Sequence, residues 1–354
     1  MTEVWTLGVG LPGLAARQAS RVEAAGWDGL AVVDSQNLSG DVYVALGLAA
    51  HATERLHLAT GVTNPYTRHP AVTASAIATV HAESGGRAVL GIGRGDSALA
   101  HLGLAPAPVD VFETYLMRVQ GYLRGDEVSF DAPSTDHPGA VESLGLASRP
   151  TASRLQWLRP SLPKVPVSVA ATGPRVIAAA ARQADRCTFA VGADPDRVRW
   201  AIASARAARA AAGLAEAGLS FGAYLNVVAH PDRETALALA SGGLASFARF
   251  SVMHGTATGP VSEEQRDVLN RIHEVYDMNQ HTYSGAPQAG QLTPEFASRF
   301  AILGPAGECR ERLLELVGLG LDHVLIIGPS IGSDRDEATA AVARFEAEVL
   351  PALH

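Results

Sequence analysis

The sequence predicts an α/β chain folded as a (β/α)8 TIM barrel with insertions in its second half. Three observations predict it: eight apolar, β-branched runs of strand length, helical segments between them, and near-constant spacing over the first third. The first four runs begin at Val4, Gly29, Leu56 and Arg87, which are 25, 27 and 31 residues apart, about one strand, one helix and two loops each. That rhythm makes neighbouring strands parallel and covers them with helices. Eight such units in 354 residues suit a barrel whose chemistry sits in the loops after the strands. An open doubly wound sheet fits less well, because GVGLPGLAARQ has no ribose-binding acid about 20 residues further on.

In chain order, strand 4–10 leads into the helix LAARQASRVEAAG, which stops at Gly26. Strands 29–34 and 56–61 follow. The helix HPAVTASAIATVHAESGG starts with Pro70 and stops at Gly85 and Gly86, and strand 87–93 comes next. Beyond Asp126 the rhythm breaks: 126–164 is rich in Pro, Ser and Gly, and VSF and ESLGLAS within it are either short hairpin strands or irregular loop. Strands 165–171, 186–191 and 219–228 resume the pattern, with ARAARAAAG as a helix between the last two. A second irregular stretch, 241–294, is helical in parts. It contains ASFARFSVMHG and DMNQHTYSG. The helix PAGECRERLLELVGLG, the strand LDHVLIIG and a terminal helix complete one barrel domain, 1–354, with insertions at about 126–164 and 241–294.

Composition removes several function classes. With 47% hydrophobic and 18% charged residues the chain can bury a large core. Its net charge is −8 and its basic residues are scattered, so nucleic acid and anionic membrane are not expected partners. No run of 18 apolar residues occurs, and the start MTEVWTLGVG lacks signal-peptide character, so the expected address is cytoplasmic. Lys164, in SLPKVP, is the only lysine, which argues against Schiff-base chemistry. Cys187 and Cys309 have no paired spacing, and the histidines show neither HExxH nor HxH, so no metal site is expected. His254, His273 and His281 read as surface or substrate-pocket residues. Phe247, Phe250 and Met253, at helical spacing, read as core or as the lining of an apolar substrate pocket.

The carboxyl ends of the strands are polar, as barrel active sites are. Asp34-Ser35-Gln36-Asn37 follows the second strand, Thr63-Asn64-Pro65-Tyr66 the third, Arg94-Gly95-Asp96-Ser97 the fourth, Thr172-Gly173-Pro174-Arg175 the fifth and Gly192 the sixth. The segment ATGVTNPYTRHPAVTASAIATVHAESGGRAVLGIGRGDSALAHLG, residues 59–103, resembles the signature region of the luciferase-like superfamily of flavin and deazaflavin oxidoreductases. Within it, GVTNPYTRHP is most similar to the branch typified by methylenetetrahydromethanopterin reductase, whose hydride carrier is coenzyme F420. VPVSVAATGPRVIAAAARQAD, residues 165–185, resembles that branch's cofactor-phosphate segment.

The resemblance implies an oxidoreductase that moves a hydride between the F420 ring C5 and a small organic substrate. The alternatives are an FMN-dependent monooxygenase of the same superfamily and, from another class, a flavin-binding protein without turnover. The cofactor would meet Gly61, Val62, Thr63, Asn64, Gly93, Arg94 and Gly95, with a non-prolyl cis peptide at Gly61-Val62 in a bulge behind its ring. The cofactor would also meet Ala171, Thr172, Gly173, Pro174, Arg175, Val191 and Gly192, with its phosphate at ATGPR. ATGPR supports this physically, since a strand-to-helix turn with free N–H groups and a cation holds an anion. Asp34 and Asp96 are the implied catalytic acids. Asp96 reads equally as an N-cap for SALAHLG. Ser35 stands where related alcohol and sugar-phosphate dehydrogenases carry a histidine base, so their mechanism does not transfer directly. A homodimer is the family expectation.

Overall fold

The computed structural model describes residues 2–130 and 144–354. Eight parallel strands close on themselves: β1 Glu3–Val9, β2 Gly29–Val33, β3 His57–Thr60, β4 Ala88–Ile92, β5 Val167–Ala171, β6 Arg186–Phe189, β7 Ser220–Ala229 and β8 His323–Ile327. Closure runs through β8 and β1, where Glu3 faces His323 and Thr6 faces Ile326. The eight expected strands are all present and in order. β4 and β8 are buried at every position, as parallel strands covered on both faces must be. β7 runs past the barrel and adds a short outer strand, Ile302–Gly304, on its far half.

The covering helices are α1 Ala15–Ala24, α2 Val42–Ala52, α3 Pro70–Glu83, α4 Val109–Arg124, α5 Pro174–Gln183, α6 Pro195–Ala211, α7 Arg233–Phe250, α8 Glu263–Glu274, α9 Pro294–Phe300, α10 Ala306–Val317 and α11 Arg335–Arg344. Local signals start them. Asp41 accepts from the N–H groups of Tyr43 and Val44 to begin α2, and Ser262 and Gln265 form a capping box on α8. None of the described helices is long and apolar enough to cross a membrane.

The insertions differ from expectation in detail. VSF supplies Val128–Ser129, but its antiparallel partner is Ala152–Ser153. Of ESLGLAS, Glu142 and Ser143 lie outside the described residues, and 144–148 form no strand. α7 passes without a break through residue 241, the expected start of the second insertion. In the fold Gly242 is where α7 crosses the backbone at Thr282 and Tyr283, and a Cβ there would lie 2.3 Å from the Thr282 carbonyl oxygen.

Inside the barrel, Trp5, Ala31, Ala59, Val89, Ala190, Tyr224, Leu325 and Ile327 form an apolar cluster. Below it a polar chain links Ser168 Oγ to Thr188 Oγ1 and Thr188 Oγ1 to His323 Nε2, each at 2.8 Å. Phe247 and Phe250, from the last turns of α7, pack on the apolar cluster with Leu7, Val62 and Ala170. They line the mouth rather than the deep core.

Candidate active site

The β3–β4 edge carries the first feature of the mouth. Ala59 faces Val89 and Thr63 faces Ile92, so four steps along the third strand match three along the fourth. The extra residue is a bulge. The Gly61-Val62 peptide within it is cis. Gly61 and Gly91 are fixed by space: a Cβ at Gly61 would lie 2.9 Å from the Ala31 side chain, and one at Gly91 would lie 2.0 Å from the Thr60 carbonyl oxygen. Thr63 N–H donates to Gly91 O at 3.0 Å, and Gly93 N–H donates to Thr63 O at 2.9 Å. Asn64 is buried, and its Oδ1 accepts from the N–H groups of Tyr66 and Thr67. Its Nδ2 is buried without a protein acceptor. A buried donor left open in this way fits a ligand acceptor.

The two acids are placed differently. Asp34 is buried, and both its oxygens are taken by Arg68, at 2.5 and 3.3 Å. Arg68 also donates to Asp41 at 3.0 Å and lies over the Tyr43 ring. Burial pushes the Tyr43 phenol well above its ordinary value, with the Asp34 charge adding to the rise. Asp34 is thus committed to an ion-pair cluster that shapes the wall.

Asp96 stands at the N-cap position of the short helix Ser97–Ala100, but its side chain makes no capping bond. Both its oxygens instead accept from Arg249 Nη1, at 2.8 and 2.7 Å. The side-chain capping role expected from the sequence is therefore corrected, because the guanidinium from α7 competes successfully with the helix N–H groups. Arg249 lies 4.4 Å from the Tyr276 ring centroid. The Tyr276 hydroxyl reaches Ser246 Oγ at 3.1 Å and His281 Nδ1 at 2.6 Å, and burial pushes this phenol up to about 12. His281 is driven below its usual range by burial, with Asp96 opposing and Arg249 reinforcing the shift. It is half-buried in this network.

The third feature is cationic. Arg94 donates from Nε to Ala107 O at 2.5 Å, and its Nη1 meets His254 Nε2 at 3.4 Å. Burial lowers its pKa, and the like charge of Arg175 lowers it further. No carboxylate pairs with Arg94 or Arg175 among the described residues. Arg175 is exposed on the first turn of α5, after Gly173 and Pro174. Gly173 is open, since a Cβ there would meet nothing nearer than Thr258 Cγ2 at 4.0 Å. Two uncompensated cations beside an open helix start suit an anion. Gly95, at φ 90°, keeps the turn after β4 tight, because a Cβ there would strike Leu99.

Ala171 ends β5, and Thr172 leads into the open turn. Val191 and Gly192 are less available than expected. The Val191 carbonyl accepts from Arg197, and Gly192, at φ 81°, lies against the Phe300 ring. Arg68, Arg197 and Arg249 are the important residues that sequence reasoning missed. Each acts on partners remote in the chain, so no local motif marks them. No group of three or more His, Cys, Asp or Glu suited to a metal occurs among the described residues.

These features define a (β/α)8 barrel whose mouth joins an apolar floor to a cationic rim. The chain belongs to the luciferase-like family: the family model described as luciferase-like monooxygenase matches residues 11–323. It is 26% identical over 337 residues to a 5,10-methylenetetrahydromethanopterin reductase of Methanolobus tindarius, covering 93% of this chain and 94% of the relative. It is 29% identical over 350 residues to an F420-dependent glucose-6-phosphate dehydrogenase of Beutenbergia cavernae, covering 94% and 90%. Among solved structures, the coenzyme F420 dependent tetrahydromethanopterin reductase from Methanopyrus kandleri superposes with a TM-score of 0.72 at 22% identity, covering 99% of this chain and 98% of that one.

Proposed function

We propose that the chain is a coenzyme F420-dependent oxidoreductase that moves a hydride between the cofactor and a small organic substrate. The observation that carries this reading is the uncompensated Arg94–Arg175 pair beside the open Gly173 turn, next to an apolar wall. The relatives named for F420, aligned along most of their length, support it. When bound, the deazaflavin supplies a hydride donor or acceptor at ring C5. Gly61, Val62, Thr63 and Asn64 would hold the ring, with Asn64 Nδ2 as a donor to it. Thr172, Gly173, Arg175 and Arg94 would hold the phosphate.

The protein's own tasks are orientation, exclusion of water and proton handling. Phe247 and Phe250 keep the floor of the mouth dry. Asp96 is the acid placed to hold or move a proton, at Oδ1 or Oδ2, once substrate loosens its pairing with Arg249. Asp34 acts as a positioning residue through Arg68. A homodimer and a cytoplasmic location accompany this reading through the family resemblance. The family model's own description favours a second reading, an FMN-dependent monooxygenase. Mixing the protein with reduced F420 or reduced FMN and a panel of carbonyl and imine compounds, with and without air, separates the two. Oxygen-independent return of the deazaflavin absorbance is expected. Substrate oxidation that needs reduced FMN and consumes oxygen would replace this reading with the monooxygenase.

A further inference from the structure

We propose that Arg197 is a positioning residue for the cofactor phosphate: from inside α6 it fixes the 251–260 loop so that His254 completes the anion site begun by Arg94, Gly173 and Arg175, with the Thr258 methyl as its wall. The inference rests on the F420 reading above. It starts from an unusual residue. Arg197 is fully buried, yet no carboxylate hydrogen-bonds to it. Nε donates to Val191 O at 2.7 Å, Nη1 to Thr258 O and Pro260 O at 3.0 Å each, and Nη2 to Ser251 Oγ at 2.8 Å. Three of those four acceptors belong to the loop. A buried guanidinium must find acceptors in fixed directions, so the loop's path is dictated by the fork of Arg197. Burial lowers its pKa to about 10, with the Asp194 charge opposing, so it remains a cation at neutral pH.

The loop is braced in two further ways. Thr258 N–H donates to Ser251 O at 2.8 Å, closing the loop on itself. Gly259, at φ 77°, lies so close to Trp200 of α6 that a Cβ would fall 2.9 Å from the indole. Its outer side then bridges two strand ends. His254 meets Arg94, which follows β4, and the Thr258 methyl sits beside Gly173, which follows β5. Arginine can only donate, so His254 Nε2 is the acceptor in this contact. His254 is exposed, and an arriving anion can share both its imidazole and the Arg94 guanidinium. A pin with no effect on ligands would need neither the Arg94 contact nor the approach to Gly173.

The test uses the full-length protein and two probes: F420, and the phosphate-free ribityl deazaflavin that carries the same ring. Ser251→Ala, His254→Ala and Arg197→Lys are compared with wild type by equilibrium fluorescence titration, with thermal melting recorded alongside. Each variant is expected to bind F420 about tenfold more weakly, the value of one charge-assisted hydrogen bond, and to bind the phosphate-free compound within about twofold of wild type. Should Arg197→Lys fail to fold, Ser251→Ala and His254→Ala still decide the matter. Equal loss for both compounds, or no loss in the folded variants, overturns the positioning role. Wild-type protein that binds neither compound overturns the F420 reading itself, whereas wild type that binds both equally shows the ring held and the phosphate site absent.

Discussion

Asp96→Asn keeps the shape of the side chain and removes its charge. In the native fold the pair with Arg249 is largely out of water, with side-chain exposures of 15% and 14%, and both carboxylate oxygens engage one guanidinium nitrogen. Charges about 4 Å apart attract by about 4 kcal/mol at a near-surface effective dielectric. Desolvation offsets part of that, and the Tyr276 ring continues to hold the orphaned guanidinium, a contact worth roughly 1 kcal/mol. Asp96→Asn alone should therefore cost about 2–3 kcal/mol, as should Arg249→Met, and the double variant should recover about 1–2 kcal/mol of the sum. Guanidinium chloride unfolding, read by midpoint at constant slope, measures all three. Losses that simply add to within about 0.5 kcal/mol would refute the pairing. Single-turnover hydride transfer on the same proteins separates the chemical role, since Asp96→Asn is expected to slow transfer while F420 affinity stays within about threefold.

Arg94→Gln should weaken F420 by roughly 10- to 100-fold through loss of a charge-assisted contact, with the effect shrinking at high salt in an isothermal titration. His323 is fully buried, and desolvation, reinforced by Arg186, holds its pKa well below 6.5. The unfolded chain therefore takes up a proton below pH 6.5 that the fold refuses. Stability should fall as pH drops from about 6.5 to 5, by at most about 1.4 kcal/mol per pH unit for this residue, and His323→Gln should flatten the curve in that window. An unchanged pH slope would show that His323 is protonated in the fold. Gly91→Ala places a Cβ 2.0 Å from the Thr60 carbonyl oxygen, a backbone atom that cannot rotate away. A loss of about 3 kcal/mol or more in chemical denaturation is expected, and a loss below about 1 kcal/mol would mean that the β3–β4 contact yields easily.

The barrel was legible in the sequence because parallel strands covered on both faces must be continuous apolar runs, and LDHVLIIG or RAVLGIG can hardly be anything else. Helix starts were legible where capping chemistry is local, as at Pro70 and Pro174. α2 leaves little trace in the sequence: VYVALGLAAHA is apolar almost all round, so it has little helical stripe. α7 continues past residue 241, where the sequence suggests irregular structure, and Gly242 within it is kept small by the backbone crossing at Thr282. In the site, Arg175 and Asn64 could be named because they follow strands. Arg249 could not, because 153 residues separate it from Asp96 and only the folded α7 lays it across the mouth. Arg197 was invisible for the same reason, its acceptors being carbonyls that no side-chain pattern reveals.

The central claim is that this mouth is built for a deazaflavin carrying a phosphate. Titrating the purified protein side by side with coenzyme F420 and with FMN, and following each by the change in its own fluorescence, tests that claim most directly. F420 is expected to bind at least about tenfold more tightly, a difference of about 1.4 kcal/mol. Tight FMN binding with none for F420 would contradict the claim and make the protein a flavin enzyme of the same family.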